Sequence, residues 1–336
     1  MIEEWLKTIV ESIALTLSSP DSKVYPLEVR AVLAVLLVSL TCGIVGSLVI
    51  GHRMAFFSDA MAHTAFAGVS LALLGIILAT GATSSKAVEP YLWVIPLVMC
   101  GIGALAGIMI ALVREKTNLA NDTVIGVFFA FALGLAALLL RPLRKIVTFD
   151  LEGYLFGDLT SITEKDLLIL ALLALATMFI VGGRYNSFVF GSFNPSLARS
   201  RGLAVRLNNY LFIVLLAMVV NLSIRAVGIL LINALLIVPA AAAANVSCNL
   251  RRMFWFTCLG SVLAGLIGYN LSTKMGISLN GSEALPVGPA GAIVLVVVAW
   301  FAMSLGLRAI RQKFFGAVGR VACTADHGDG QYPHAH

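Results

Sequence analysis

Charge is scarce in this chain: Asp, Glu, Lys and Arg together make up 12% of its 336 residues. A water-soluble globule carries about a quarter charged residues, so this composition excludes a soluble enzyme and equally a disordered scaffold. Cysteine is sparse as well. Five thiols, four of them in or beside apolar runs, are too few for a disulfide-stapled secreted module and read as packing residues. The chain has no zinc-protease pair of histidines around a Glu and no Gly-x-Ser-x-Gly elbow. Its nearest approach to a phosphate loop, Gly46 to Arg53, has the glycine spacing at Gly46 and Gly51 but lacks the Lys and the Ser/Thr that hold phosphate and magnesium. The chain is therefore not expected to be an enzyme, and any ATP-driven work needs a partner subunit. The net charge of +6 records topology in so apolar a chain, and no nucleic-acid partner is expected.

What is present is hydrocarbon: 60% of the residues are hydrophobic and the mean hydropathy is +0.97. A helix needs about 20 apolar residues to cross a hydrocarbon layer. Uncharged apolar stretches recur at Ala31–Ile50, Met61–Thr80, Tyr91–Val113, Thr123–Leu140, Leu167–Gly183, Asn209–Ile224, Ala226–Ala244, Phe254–Thr273 and Val287–Leu307. The expected fold is thus all-α, a polytopic membrane helix bundle of eight to nine spans. The runs are apolar all round, whereas barrel strands alternate. Only Arg225 separates two of them, so that pair reads either as one broken helix or as a short re-entrant turn.

Three regions follow. Residues 1–30 hold Glu3, Glu4, Lys7 and Glu11 in an apolar background and read as an amphipathic interfacial segment rather than a secretory signal. Residues 31–308 form the membrane unit. Residues 309–336 are a tail bearing His327, His334 and His336, expected to be disordered and able to capture metal only loosely. With nine spans, thirteen of the 23 Lys and Arg residues fall on the tail side, which places the tail in the cytoplasm and the N-terminus outside by the positive-inside rule.

The most informative local pattern is Ser58, Asp59, Ala60, Met61, Ala62, His63. Residues four apart stack on one helix face, so the Asp59 carboxylate and the His63 imidazole can converge on one point and grip a divalent cation. Carboxylate and imidazole suit zinc, manganese or ferrous iron, and no thiolate lies near to favour copper(I). The competing reading is an Asp–His hydrogen bond that only locks this helix to a neighbour. Asn233, alone in an apolar helix, and Asp122, at a helix mouth, are weaker candidate ligands. Asn233 reads more readily as interhelical glue and Asp122 as an N-terminal cap. Between the fifth and sixth runs, Asn194 can cap, Pro195 suits the first helical position and Gly202 the residue past the end, so Ser196–Arg201 is expected to be a helix of under two turns. So short a helix needs support. It either docks on something or lies on the membrane with its arginines toward lipid phosphates.

The stretch Gly51 to His63 resembles the R-M-A-x-x-x-D-A-x-x-H signature of permease subunits of bacterial zinc, manganese and iron ABC importers. Four further blocks resemble that family in the same order: Asn121–Gly126, Asp150–Gly157, Leu197–Leu203, and Arg225–Leu231 continuing through Ile237–Pro239. The resemblance spans roughly residues 30 to 308. It implies a homodimeric membrane subunit around a central translocation path, two cytoplasmic ATP-binding subunits beneath it and an external metal-binding protein above it, in the bacterial inner membrane. It implies that Asp59 and His63 line the metal path. Asn194, Pro195, Leu197, Ala198, Arg199, Arg201 and Gly202 would form the helix that couples to the ATPase. No covalently bound cofactor is implied; the transported ion is zinc, manganese or iron. Three alternatives stay open: a permease of the siderophore or cobalamin type, which wants a wider path, an ion-coupled secondary transporter, and an intramembrane metalloenzyme, which requires three protein ligands and a general base where only two close ligands are seen. The acidic loop Arg141–Lys165, with Asp150, Glu152, Asp158 and Glu164, and Asp166 at its edge, either meets the binding protein or is simply solvated.

Overall fold

The computed structural model describes residues 7–8, 10–12, 26–52, 54–81, 85–91, 93–117, 119–143, 157, 159, 162–193, 195–247, 249–274, 276–277, 285–286 and 288–314. The expectations for Glu3, Glu4, Arg53, Asp150, Glu152, Asp158, Asn194 and the tail histidines fall outside these residues. Of the N-terminal segment, Lys7, Thr8, Val10, Glu11 and Ser12 are helical, with Val10 buried and Lys7 and Glu11 exposed.

The described chain is helical apart from its connections and one two-residue ladder, β1 (Gly276–Ile277) against β2 (Leu285–Pro286). Among the described residues the bundle is built from α1 (Pro26–Gly51), α2 (Ala55–Thr80), α3 (Val94–Lys116), α4 (Asn121–Leu143), α5 (Glu164–Phe193), α6 (Pro195–Ser200), α7 (Val205–Val246), α8 (Leu250–Lys274) and α9 (Pro289–Phe314), with one further helical turn at Ser85–Val88 and a 3-10 turn at Glu89–Tyr91 between α2 and α3. Eight of them, all but α6, are long and apolar enough to span a membrane. The protein is a multi-pass membrane protein.

Several hydroxyls on the spanning helices find a partner in the backbone of their own helix. Ser47, Ser58, Thr64, Ser70 and Thr257 each donate to a carbonyl three or four residues earlier. Helix ends follow ordinary rules. The backbone N–H and hydroxyl of Thr163 both donate to the Asp166 carboxylate while the Asp166 N–H donates to the Thr163 hydroxyl, a capping box that starts α5. Gly202, at φ 73°, ends α6 in a left-handed turn whose N–H groups reach back from Gly202 to Arg199 and from Leu203 to Ala198, a Schellman closure.

The nine apolar runs are carried by eight spanning helices because two of them are joined in α7. Its 42 residues would extend about 63 Å if straight, twice the hydrocarbon thickness. Contacts show that it reverses. Arg206 and Tyr210 both meet Glu115 at the end of α3, and Arg225 meets Asp166 at the start of α5, where Arg30 of α1 also pairs with Glu164. The first half of α7 therefore climbs from the α3 end to the face where α1 and α5 begin. The second half descends again: Asn245 bonds Ser304 and Arg308 near the end of α9. α9 reaches that face because α8 runs against α1, with Ser261 bonded to the Ser39 carbonyl and Gly43 against Cys258, and α9 runs back against α8, with Trp300 beside Gly260 and Ile293 beside Gly268. The bend is at Gly228, whose φ of 79° and ψ of 163° lie outside the helical region and suit only glycine. Of the two readings for this pair, one broken helix is what forms, and its halves cross separately. The start of α1 and the end of α9 consequently lie on opposite faces.

Gly157 sits on this bend, and a Cβ there would lie 2.3 Å from the Val227 carbonyl carbon and 2.7 Å from the Gly228 nitrogen. Gly157 also has a φ of 76°. The Gly157→Ala variant is therefore expected to lose about 2 kcal/mol or more of stability. Gly134→Ala, helical and with nothing within 4 Å of its Cβ position, should be neutral or stabilising by up to about 1 kcal/mol. Thermal unfolding of the two purified variants in detergent checks the contrast.

Candidate functional site

Asp59 and His63 both lie early in α2, one turn apart on one face. The His63 Nδ1 lies 3.0 Å from the Asp59 carbonyl oxygen and 3.7 Å from its Oδ1. With the Nδ1 proton donated to that carbonyl, Nε2 keeps its lone pair, the arrangement of a metal-ligating imidazole. Phe129 of α4 meets the ring edge-on at 4.7 Å between centroids, and Phe66 flanks it at 6.2 Å. The Asp59 side chain is 44% exposed and that of His63 21%.

Asn233 completes the cluster. Five residues past the Gly228 bend, it comes back into the bundle and its Nδ2 donates to the Asp59 Oδ1 at 2.9 Å, although 174 residues separate the two. Its Oδ1 is buried and has no hydrogen-bond partner among the described residues. The side chains of Asp59, His63 and Asn233 thus meet from two helices, with the His63 Nδ1 and the Asn233 Nδ2 on the Asp59 side. Phe57 of α2 and Ile213 both lie by Gly107 of α3, and Ile213 is eight residues into α7, which sets the cluster about 12 Å inside the tail-side face.

Asp122 does not join it. It stands exposed in the first turn of α4, two turns before Phe129, and no hydrogen bond or ion pair links it to Asp59 or His63 among the described residues. No group of three or more His, Cys, Asp or Glu side chains with metal-holding geometry occurs among them either. Cys42 and Cys258 are buried in α1 and α8 as unpaired thiols, packing as expected.

The short helix α6 spans Pro195–Ser200, one residue earlier than its capping pattern predicts. Ala198 is buried beneath it, while Leu197, Arg199, Ser200, Arg201 and Gly202 are exposed. The Arg201 guanidinium stacks 5.9 Å over the Phe190 ring of α5. This helix has its own support within the chain and still turns a leucine and two arginines outward.

Two features escaped sequence reasoning. One is the pairing of Arg225 with Asp166, at 3.4 Å. Thr163 and Asp166 in the Thr-x-x-Asp spacing of a capping box signal that this aspartate begins a helix rather than floating in an acidic loop. The other is His52, in the turn between α1 and α2, stacked on Phe212 at 4.6 Å between rings with its Nε2 buried and unpartnered. Burial, and secondarily the nearby Arg114 charge, hold this imidazole down to a pKa of about 4 from 6.5.

Because the folded-state value is lowered, the unfolded chain takes up a proton first as pH falls. The stability contributed by neutral His52 is complete above about pH 6.5 and is lost as pH drops toward 4, by roughly 2–3 kcal/mol. The His52→Phe variant, which keeps the stack, should flatten that part of the stability curve, measured as melting temperature between pH 7 and 4.5.

A model of the ABC 3 transport family matches residues 24–307. The manganese transport system membrane protein MntC of Listeria innocua is 27% identical over 287 residues, covering 84% of this chain and 94% of that protein. A Haemophilus influenzae protein named "Probable iron transport system membrane protein" is 26% identical over 284 residues, with 84% and 94% covered. Among solved structures, PsaBC from Streptococcus pneumoniae in complex with Fab matches with a TM-score of 0.64 at 25% identity, covering 82% of this chain and 89% of that one.

Proposed function

The chain belongs to the ABC 3 transport family, and from that premise we propose that it is the membrane permease of an ATP-binding cassette importer that passes manganese(II) or iron(II) across the membrane. It is a transport subunit and not an enzyme. The observation that carries the reading is the meeting of Asp59, His63 and Asn233 across two helices inside the bundle. A carboxylate about half exposed at this depth is costly against lipid, so it faces a path or a second copy. One copy supplies two strong ligands and an amide oxygen; a homodimer about the path supplies the rest. Carboxylate and imidazole accept manganese, iron and zinc alike, so the ligand types do not choose among them. Relatives named for manganese and iron transport support those two ions.

The working cycle needs partners. ATP binding on a separate cytoplasmic subunit, present in two copies, would close those subunits, and α6 would pass the motion to the bundle through exposed Leu197, Arg199 and Arg201. Pro195 opens that helix and Gly202 closes it. An external binding protein delivers the ion, and the tail side, richer in Lys and Arg, is cytoplasmic. Within the path the ion replaces the Asn233 amide as the partner of Asp59, and the site must hold it weakly enough to release it. The regions follow the same division: an interfacial segment over 1–30, the permease unit over 31–308 and a tail over 309–336.

Asp59→Asn and His63→Ala should each lower radioactive manganese uptake by more than about tenfold, the scale of losing one strong ligand. Both variants should remain inserted and bound to the ATP-binding subunit. Wild-type uptake by either would remove the site assignment. The Leu197→Asp variant should keep metal binding at Asp59 while losing permease-stimulated ATP hydrolysis, measured on the complex in nanodiscs. Unchanged stimulation would detach α6 from coupling.

A further inference from the structure

From the tail-side start of α8 we infer a second binding site, for the phosphate headgroup and one acyl chain of an anionic phospholipid. Arg251, Arg252, Trp255, Phe256 and Leu259 line an open cleft of about 410 Å³. All five residues are exposed, Trp255 at 67%. Neither arginine forms an ion pair with a carboxylate among the described residues, and the first turn of α8 holds no acidic residue. The inward face of the same helix is already committed. Phe254 packs edge-on against Tyr185 at 5.1 Å, and Met253, Thr257 and Cys258 are buried.

The order of side chains along the helix matches the profile of one lipid leaflet. The two guanidiniums sit within a turn of the tail-side face, where Asn245 meets Arg308. Trp255 follows one turn deeper, at the depth where indoles settle between headgroups and hydrocarbon. Leu259, Leu263 and Ile267, exposed at successive turns, continue a lane about 24 Å long from Arg251, enough to accompany an acyl chain. Two fixed cations above an apolar lane complement an anionic headgroup above its tail. Arginine suits the phosphate because its guanidinium can donate two parallel hydrogen bonds. A second copy of the chain is the poorer occupant. A two-fold contact centred on this face would set the arginines of both copies against each other, like charge against like.

The test uses the full chain in phosphatidylcholine vesicles containing one brominated component, either phosphatidylglycerol or phosphatidylcholine, at equal fraction. Tryptophan emission reads which lipid lies beside Trp255. Brominated phosphatidylglycerol should quench more strongly, with a local enrichment of up to roughly thirtyfold for two arginines, and Trp255→Phe should remove the excess. Arg251→Gln with Arg252→Gln should abolish the preference, whereas the double change to Lys should retain most of it, which separates recognition from misfolding. Equal quenching by the two lipids in the wild type would overturn the site. So would efficient disulfide formation between copies carrying Leu259→Cys, which would give the face to a second protomer.

Discussion

One hydrogen bond organises the interior of this protein: the Asn233 amide on the Asp59 carboxylate, 2.9 Å long and 174 residues apart in sequence. It exists only because α7 turns back on itself. Had the helix run on straight past Gly228, Asn233 would stand well beyond the face at which Arg225 meets Asp166. The backbone at Gly228 takes a conformation open to glycine alone, and a second glycine, Gly157, lies directly against it. A bend at one glycine, covered by another, thus sets the depth of the amide that reaches the carboxylate from a second helix. The helix reversal and the polar cluster form a single device.

The distribution of charge follows from the same economy. Inside hydrocarbon an ion needs a partner or a wet surface. The described arginines observe this strictly near the face where α1 and α5 begin: Arg30 pairs with Glu164, and Arg225 with Asp166. At the opposite face Arg206 and Tyr210 share Glu115. These pairs tie α1, α3, α5 and α7 together, leaving the interior mainly to apolar packing. Among the buried polar atoms without a partner in the described residues are the Asn233 Oδ1 and the His52 Nε2. The second is tolerated because the ring stays neutral against Phe212.

Much of the fold was legible in the chain. Nine apolar runs, their approximate bounds and the helical character of the spans all follow from hydropathy, because a spanning helix must satisfy its backbone internally and be apolar on every side. The short helix before α7 was legible too, since Pro195 and Gly202 punctuate it by local rules that hold in any surroundings. Asp59 and His63 were found for the same reason: four residues along a helix is a local spacing that fixes a shared face.

The sequence by itself therefore determined the membrane class, the helical runs, the local caps and the acid–imidazole pair, each set by interactions within a turn or two of chain. Only the tertiary structure decided that the two runs around Arg225 form one helix broken at Gly228. It alone brought Asn233 to Asp59, left Asp122 outside the cluster, and matched Arg225 to Asp166. Those outcomes depend on which helices pack side by side, and uniformly apolar faces carry no periodic signal from which a neighbour can be read.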